Sequence, residues 1–177
     1  MIIMINGSFG VGKSITAAAL VQRLPDAMLF DPEDVGQLAR YITRDVRPPA
    51  EDTDDFQDIA IWPPLVVTTA QQLLRYRNTL VVPMTLARRP YFDAIRGGFA
   101  ALGQLYHFCL VAPLPVVQQR LLARGDAGPG SWPWRKAIEC VPLLHDPYFA
   151  EHIDNEHCSV DDVVNHMLTR MRRQLLV

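Results

Sequence analysis

Gly7-Ser8-Phe9-Gly10-Val11-Gly12-Lys13-Ser14 decides how this chain is read. The spacing is G-x-x-x-x-G-K-S, in which glycines let the backbone curl until its N–H groups converge on an anion. Before it, Met1-Ile2-Ile3-Met4-Ile5 is an apolar run of strand length; after it, Ile15 to Leu24 reads as a helix. Strand, loop and helix in that order are the context the motif requires. The chain has only two lysines among 17 basic residues, and one is Lys13. The positive end of the helix dipole points where the N–H groups converge, so a triphosphate is the expected ligand. On this reading Gly7, Ser8, Phe9, Gly10, Val11, Gly12, Lys13, Ser14 and Ile15 bind ATP. Lys13 reaches the β- and γ-phosphates, and the Ser14 hydroxyl binds Mg²⁺. The motif leaves open what becomes of the γ-phosphate.

The rest of the chain alternates strand and helix. Ala27 to Phe30 is a short apolar run, followed by Asp31-Pro32-Glu33-Asp34, a strong helix start: an N-cap residue, proline at the first helical position, acids in the first turn. That helix is expected to reach about Arg44, and the proline-rich polar stretch from Arg47 to Asp52 to be a loop. Phe56 to Ile61 reads as a short helix interrupted at Pro63-Pro64, with a longer one continuing to about Arg77. Thr79 to Pro83 is the clearest central strand. Pro90 to Gly103 is a helix, Leu105 to Val111 a strand, and Val116 to Arg124 a helix that Gly125 ends. Trp134 to Leu144 is a helix, His152-Ile153 a weak last strand, and Val160 to Leu175 a closing helix. Such alternation predicts an α/β fold, a parallel sheet with helices on both faces. One domain over residues 1–177 is expected. A lid is expected at about 125–135 and acceptor-binding helices at about 34–77.

Composition limits the alternatives. Hydrophobic residues are 49% and charged residues 20%, enough for one core without disulfide or metal staples. A net charge of −2 gives no field for a polyanion, so no nucleic-acid partner is expected. Cys109, Cys140 and Cys158 are widely spaced and odd in number, which reads as reduced thiols in a cytoplasmic protein. The five-residue apolar start has no basic flank, so it does not read as a signal peptide. No apolar stretch is long enough to span a membrane. The five histidines have no metal-ligand spacing. Arg170, Arg172 and Arg173 beside Met167, Leu168 and Met171 fit either a core-packing helix or a membrane-surface one. Monomer and homodimer are both compatible with the sequence.

Ligands of such sheets sit beyond the carboxyl ends of the strands, and the residues there are the candidates. Asp31 accepts a proton from a substrate hydroxyl or holds Mg²⁺ through water, or else it is a plain helix cap, since one carboxylate hardly serves function and cap at once. Arg120 and Arg124, four apart before the glycine-rich segment, are either a clamp on transferred phosphate or a solvated face. The third strand ends Pro83-Met84-Thr85 with no acid, which lowers the odds of an ATPase motor or GTPase switch. Asp54 to Asp58 with Trp62 is either an acceptor pocket or a capped, solvated helix start. Arg88-Arg89 is surface charge or part of that pocket, and Ser131-Trp132 closes over a ligand or anchors packing.

Several of these segments together resemble the bacterial tunicamycin-resistance family. They are Met1 to Arg23, Asp31-Pro32-Glu33 with Gly36 and Arg40, Asp54 to Asp58 with Trp62, Val82 to Thr85, Ser131-Trp132, and His152-Ile153 with Asp154. The layout is more distantly similar to chloramphenicol phosphotransferase, shikimate kinase and nucleoside monophosphate kinases, which implies a P-loop NTPase fold of the nucleoside- or shikimate-kinase kind with a five-stranded parallel sheet in order 2-3-1-4-5. The resemblance implies an ATP-binding resistance protein acting on a nucleoside antibiotic, and the kinases imply phosphorylation of one of its hydroxyls. Their catalytic acid after the second strand falls on Asp31, and their lid arginines on Arg120 and Arg124. The expected catalytic set is Lys13, Asp31, Arg120 and Arg124, with acceptor contacts at Asp31, Arg40, Asp55, Gln57, Trp62 and Arg88. The alternative is a protein that sequesters the small molecule, with ATP controlling closure.

Overall fold

Five segments form the sheet, of which the three central ones are longer apolar runs and the two outer ones have three residues each. In the computed structural model, which describes residues 1–125 and 128–174, they are β1 (Ile2–Gly7), β2 (Ala27–Leu29), β3 (Thr79–Met84), β4 (Leu105–Val111) and β5 (His152–Asp154). All pair in parallel, in the order β2-β3-β1-β4-β5. β1 and β3 are buried along their whole length, because helices cover both faces. Alternate side chains feed two cores. Ile2, Met4, Leu80 and Val82 meet Trp62, Ile95 and Phe99 on one face, while Ile3, Ile5, Phe108 and Leu110 meet Leu20, Val117 and Met167 on the other.

The helices are α1 (Lys13–Arg23), α2 (Pro32–Thr43), α3 (Trp62–Leu73), α4 (Arg89–Ala101), α5 (Leu114–Ala123), α6 (Trp132–Leu144) and α7 (Val160–Gln174). Two expected boundaries move. Pro63-Pro64 does not interrupt a helix but sits in the first turn of α3, where a missing N–H costs nothing. Of the expected helix Phe56 to Ile61 only Phe56–Asp58 is helical, as a single 3-10 turn capped by Asp55, and a further 3-10 turn, Pro49–Glu51, lies in the expected loop. In the same way Ser131 and Pro133 start α6 two residues early, so the last four residues of the expected lid, 132–135, are helix. Asp126 and Ala127 of that lid, and Leu175 of the closing helix, lie outside the described residues. α7 packs on α1 through buried Val163, Val164, Met167 and Met171, which favours the core-packing reading. No helix among the described residues is long and apolar enough to cross a membrane.

β1 stands where the strand order turns back, with β3 on one side and β4 on the other. The crevice beyond its carboxyl end is the ligand position of such sheets, and Gly7 to Ser14 occupies that crevice.

Candidate active site

The phosphate loop is built from residues that could not be otherwise. A Cβ on Gly7 would lie 2.7 Å from Val11 Cγ1 and 2.8 Å from the Leu110 carbonyl oxygen. Gly12, the N-cap of α1, has φ +104°, a region that side chains avoid. Lys13 folds over the loop, donating from Nζ to the Ser8 carbonyl at 2.8 Å, with the Phe9 ring 5.4 Å away. Burial pulls its pKa down to about 8, opposed by the charge of Glu33. The Ser14 side chain stands exposed at the head of α1.

In front of the loop is a cavity of about 290 Å³, bordered by Lys13, Ser14, Asp31, Glu33, Arg124 and Trp132 among others. Asp31 Oδ1 accepts from the Glu33 amide at 2.9 Å, so Asp31 is the cap of α2. It also borders the cavity, and a carboxylate has a second oxygen. The cap bond therefore leaves one carboxylate oxygen of Asp31 uncommitted beside the cavity. Glu33, which the sequence reading passed over as a first-turn acid, faces the same space. It is exposed at the cavity mouth, yet desolvation by the cleft walls and then the charge of Asp31 raise its pKa, against the pull of Lys13. The Asp-x-Glu spacing after β2 was the available signal.

The two arginines part company. Arg124 borders the cavity. Arg120 donates to backbone carbonyls instead: Val11 at 3.3 Å, Asn155 at 2.7 Å and Glu156 at 3.2 Å. Asn155, buried, adds a donor to the Val11 carbonyl at 2.6 Å. The expectation of a side-by-side clamp is thus corrected; Arg120 fastens the phosphate loop to the segment after β5, as an anchor that uses donors a phosphate would need.

The expected acceptor residues gather on the α2 side, around two smaller cavities: one shares Phe9, Glu33, Met84 and Trp132 with the phosphate cavity, the other Phe9 alone. Gln57 Nε2 donates to the Thr85 carbonyl at 2.8 Å, Asp55 pairs with Lys136 at 3.5 Å, and Arg88 with Asp58 at 2.7 Å. Arg40 donates to the Thr53 carbonyl at 3.1 Å and borders an outer cavity of about 480 Å³ with Gln37, Phe56 and Trp132. Trp62 needs correction. It is 1% exposed, packs on Phe56 and donates from Nε1 to the Pro32 carbonyl, so it is mainly a core anchor whose edge reaches a narrow cavity. Arg89 points away, to Asp146 at 2.7 Å. Trp132 meets Phe9 edge-on at 4.9 Å and borders the cleft.

Metal sites made wholly of protein ligands are absent among the described residues. The oxygen donors in front of the loop, Ser14 and Asp31, suit Mg²⁺, which is ordinarily held by one or two protein oxygens together with phosphates. Cys109 and Cys140 are buried free thiols, pushed up to about 12 and about 11 by burial, and Cys158 is exposed and free.

The sequence profile described as an AAA domain matches residues 2–135. The tunicamycin resistance protein of Deinococcus radiodurans is 31% identical, with 96% of this chain and 94% of that one aligned and a TM-score of 0.77. The chain belongs to the tunicamycin-resistance family of AAA-domain P-loop proteins. No curated protein matches it significantly. Two lower similarities concern the fold. A gluconokinase of Sinorhizobium meliloti is 20% identical over 98% of this chain and 94% of that one, with a TM-score of 0.66. A shikimate kinase of Acinetobacter baumannii is 16% identical over 99% and 95%, with a TM-score of 0.62. A P-loop kinase-like fold with a resistance-protein relative is therefore the frame for this family member's site.

Proposed function

We propose that this protein transfers the γ-phosphoryl group of ATP to a hydroxyl of a small nucleoside-like molecule such as tunicamycin. The observation that carries the reading is one cavity bordered by the phosphate loop, by two carboxylates at the head of α2 and by Arg124. Catalysis of this kind is positioning plus charge stabilisation. Bound between Ser14 and Asp31, Mg²⁺ would offset charge on the phosphates. The loop amides and Lys13 hold the triphosphate tail, Arg124 faces the transferred group, and Phe9 with Trp132 excludes water. Asp31, fixed by its cap bond, orients the acceptor hydroxyl. Glu33 takes the proton, since a raised carboxyl pKa suits a general base at neutral pH. Arg120 keeps the loop in place without touching the phosphates.

Mass spectrometry of tunicamycin incubated with the protein, ATP and Mg²⁺ tests the reading. The expected product carries one added phosphoryl group, forms with wild type, and drops about 10²-fold or more in Glu33→Gln. ATP binding with no product under saturating conditions overturns phosphotransfer and leaves ATP-controlled sequestration. Absence of ATP binding overturns both.

A further inference from the structure

The walls of the acceptor side carry charge, but the charge is spent. Among the described residues bordering its inner part, the cations are Arg88 and Lys136. Lys136 lies 3.5 Å from Asp55 across the cleft, and the two side chains are only 13% and 14% exposed. A second carboxylate, Glu139, lies 3.5 Å from the same ammonium. Burial works to lower the Lys136 pKa, yet the charges of Asp55 and Glu139 outweigh it and raise it. Arg88 is matched by Asp58 at 2.7 Å, and Asp58 also accepts from Tyr91 and Thr53. Besides the Glu33 carboxyl on the phosphate side, two neutral groups stay unmatched: the Thr85 hydroxyl and the Trp132 indole N–H are buried without partners. Buried polar groups of this kind are normally satisfied, so they point to hydrogen-bonding groups on a ligand.

We infer that the Asp55–Lys136 pair is a charge filter in the acceptor site. By holding the inner ammonium to a protein carboxylate, it restricts the site to uncharged, hydroxyl-bearing acceptors and rejects acceptors that carry a carboxylate. The inference rests on the phosphotransfer reading and adds the acceptor's charge class to it. An incoming carboxylate must displace Asp55 from Lys136 and leave that aspartate unpaired in a place with little water to screen it, a costly exchange. Removing the aspartate's charge leaves the ammonium held by Glu139 alone, whose side chain is 61% exposed, and so freer for a charge-assisted bond to a ligand carboxylate.

Asp55→Asn is the informative variant, because asparagine keeps the oxygen that caps the Phe56–Asp58 turn through the Gln57 amide. Calorimetric titrations use the whole chain with Mg²⁺ and a non-hydrolysable ATP analogue, and gluconate and shikimate as carboxylate probes. Asp55→Asn is expected to bind at least one probe about tenfold or more tightly than wild type does. Asp55→Asn combined with Lys136→Met is expected to lose that gain, and Lys136→Met alone to show none. Equal carboxylate affinity in wild type and Asp55→Asn, or a gain that survives loss of Lys136, overturns the inference. These readouts need no turnover. A failure of the phosphotransfer reading appears elsewhere, as absent binding of the ATP analogue or no phosphorylated product from a neutral nucleoside.

Discussion

Lys13 is where a single side chain decides the most. Its ammonium is already partly stripped of water in the free protein, with a pKa near the top of the physiological range, about 8. A lowered lysine pKa means that the charge disappears as pH rises through that value, and with it the attraction for a triphosphate. Affinity for Mg-ATP is therefore expected to fall about tenfold between pH 7 and pH 9, following the protonated fraction. Calorimetric titration across that range checks it; Lys13→Met should bind weakly and lose this slope. Gly12 makes the complementary point about backbone. At φ +104° an alanine meets strain whatever space surrounds it, and its Cβ would stand 3.1 Å from Asn155 Nδ2. Gly12→Ala is expected to lose about 1–2 kcal/mol of stability, read by denaturant titration, and to weaken ATP binding further than that strain alone.

Elements show which parts of the molecule could be read from sequence and which could not. The central strands and the phosphate loop were legible because their signals are local: continuous apolar runs at Ile2 to Ile5 and Thr79 to Pro83, and one fixed spacing of glycines before Lys13; the strand order is not local and came only with the resemblance to kinases. Helix starts at Pro32 and Pro90 were legible for the same reason. The proline pair at Pro63-Pro64 misled because proline breaks a helix interior but starts a helix equally well, and only the fold chooses. Glu33 was hidden behind the capping grammar of Asp31-Pro32-Glu33, in which first-turn acids are ordinary. The role of Arg120 was illegible in principle. Its partners lie 109, 35 and 36 residues away, and its i+4 neighbour suggested the wrong company. Between them Arg120 and Asn155 put two donors on the Val11 carbonyl, so α5 and the segment after β5 grip the phosphate loop from outside. Asn155→Ala removes a buried donor and is expected to cost about 1–3 kcal/mol. Faster amide exchange confined to the Gly7–Ser14 loop would locate that loss, and uniform exchange would refute the gripping role.

At the scale of the whole molecule, the two halves of the site are joined by one buried amide. Asn6, at the carboxyl end of β1 and fully buried, accepts from the Gly7 and Leu86 amides through Oδ1, at 2.9 and 2.8 Å. Its Nδ2 donates to the Leu86 carbonyl at 3.0 Å. Gly7 opens the phosphate loop, and Leu86 follows Thr85 in the wall of the neighbouring cavity, so Asn6 ties these two segments together. Replacing it by leucine keeps the volume and strands three backbone groups. The expected cost is about 3 kcal/mol or more. For a domain of this size that lowers the thermal midpoint by roughly 6–12 °C. Asn6→Asp separates polarity from charge. The ionised carboxylate sets oxygen against the Leu86 carbonyl in a site without water, whereas the protonated acid can donate there. Its folded-state pKa is accordingly raised above the unfolded value of about 3.9, so the variant's stability is greatest in acid and declines as pH climbs through and beyond that value. Thermal unfolding from pH 4 to pH 8 should show the gap between Asn6→Asp and wild type widening upward. A constant gap would mean that Asn6 holds the halves together by shape and not by its donor.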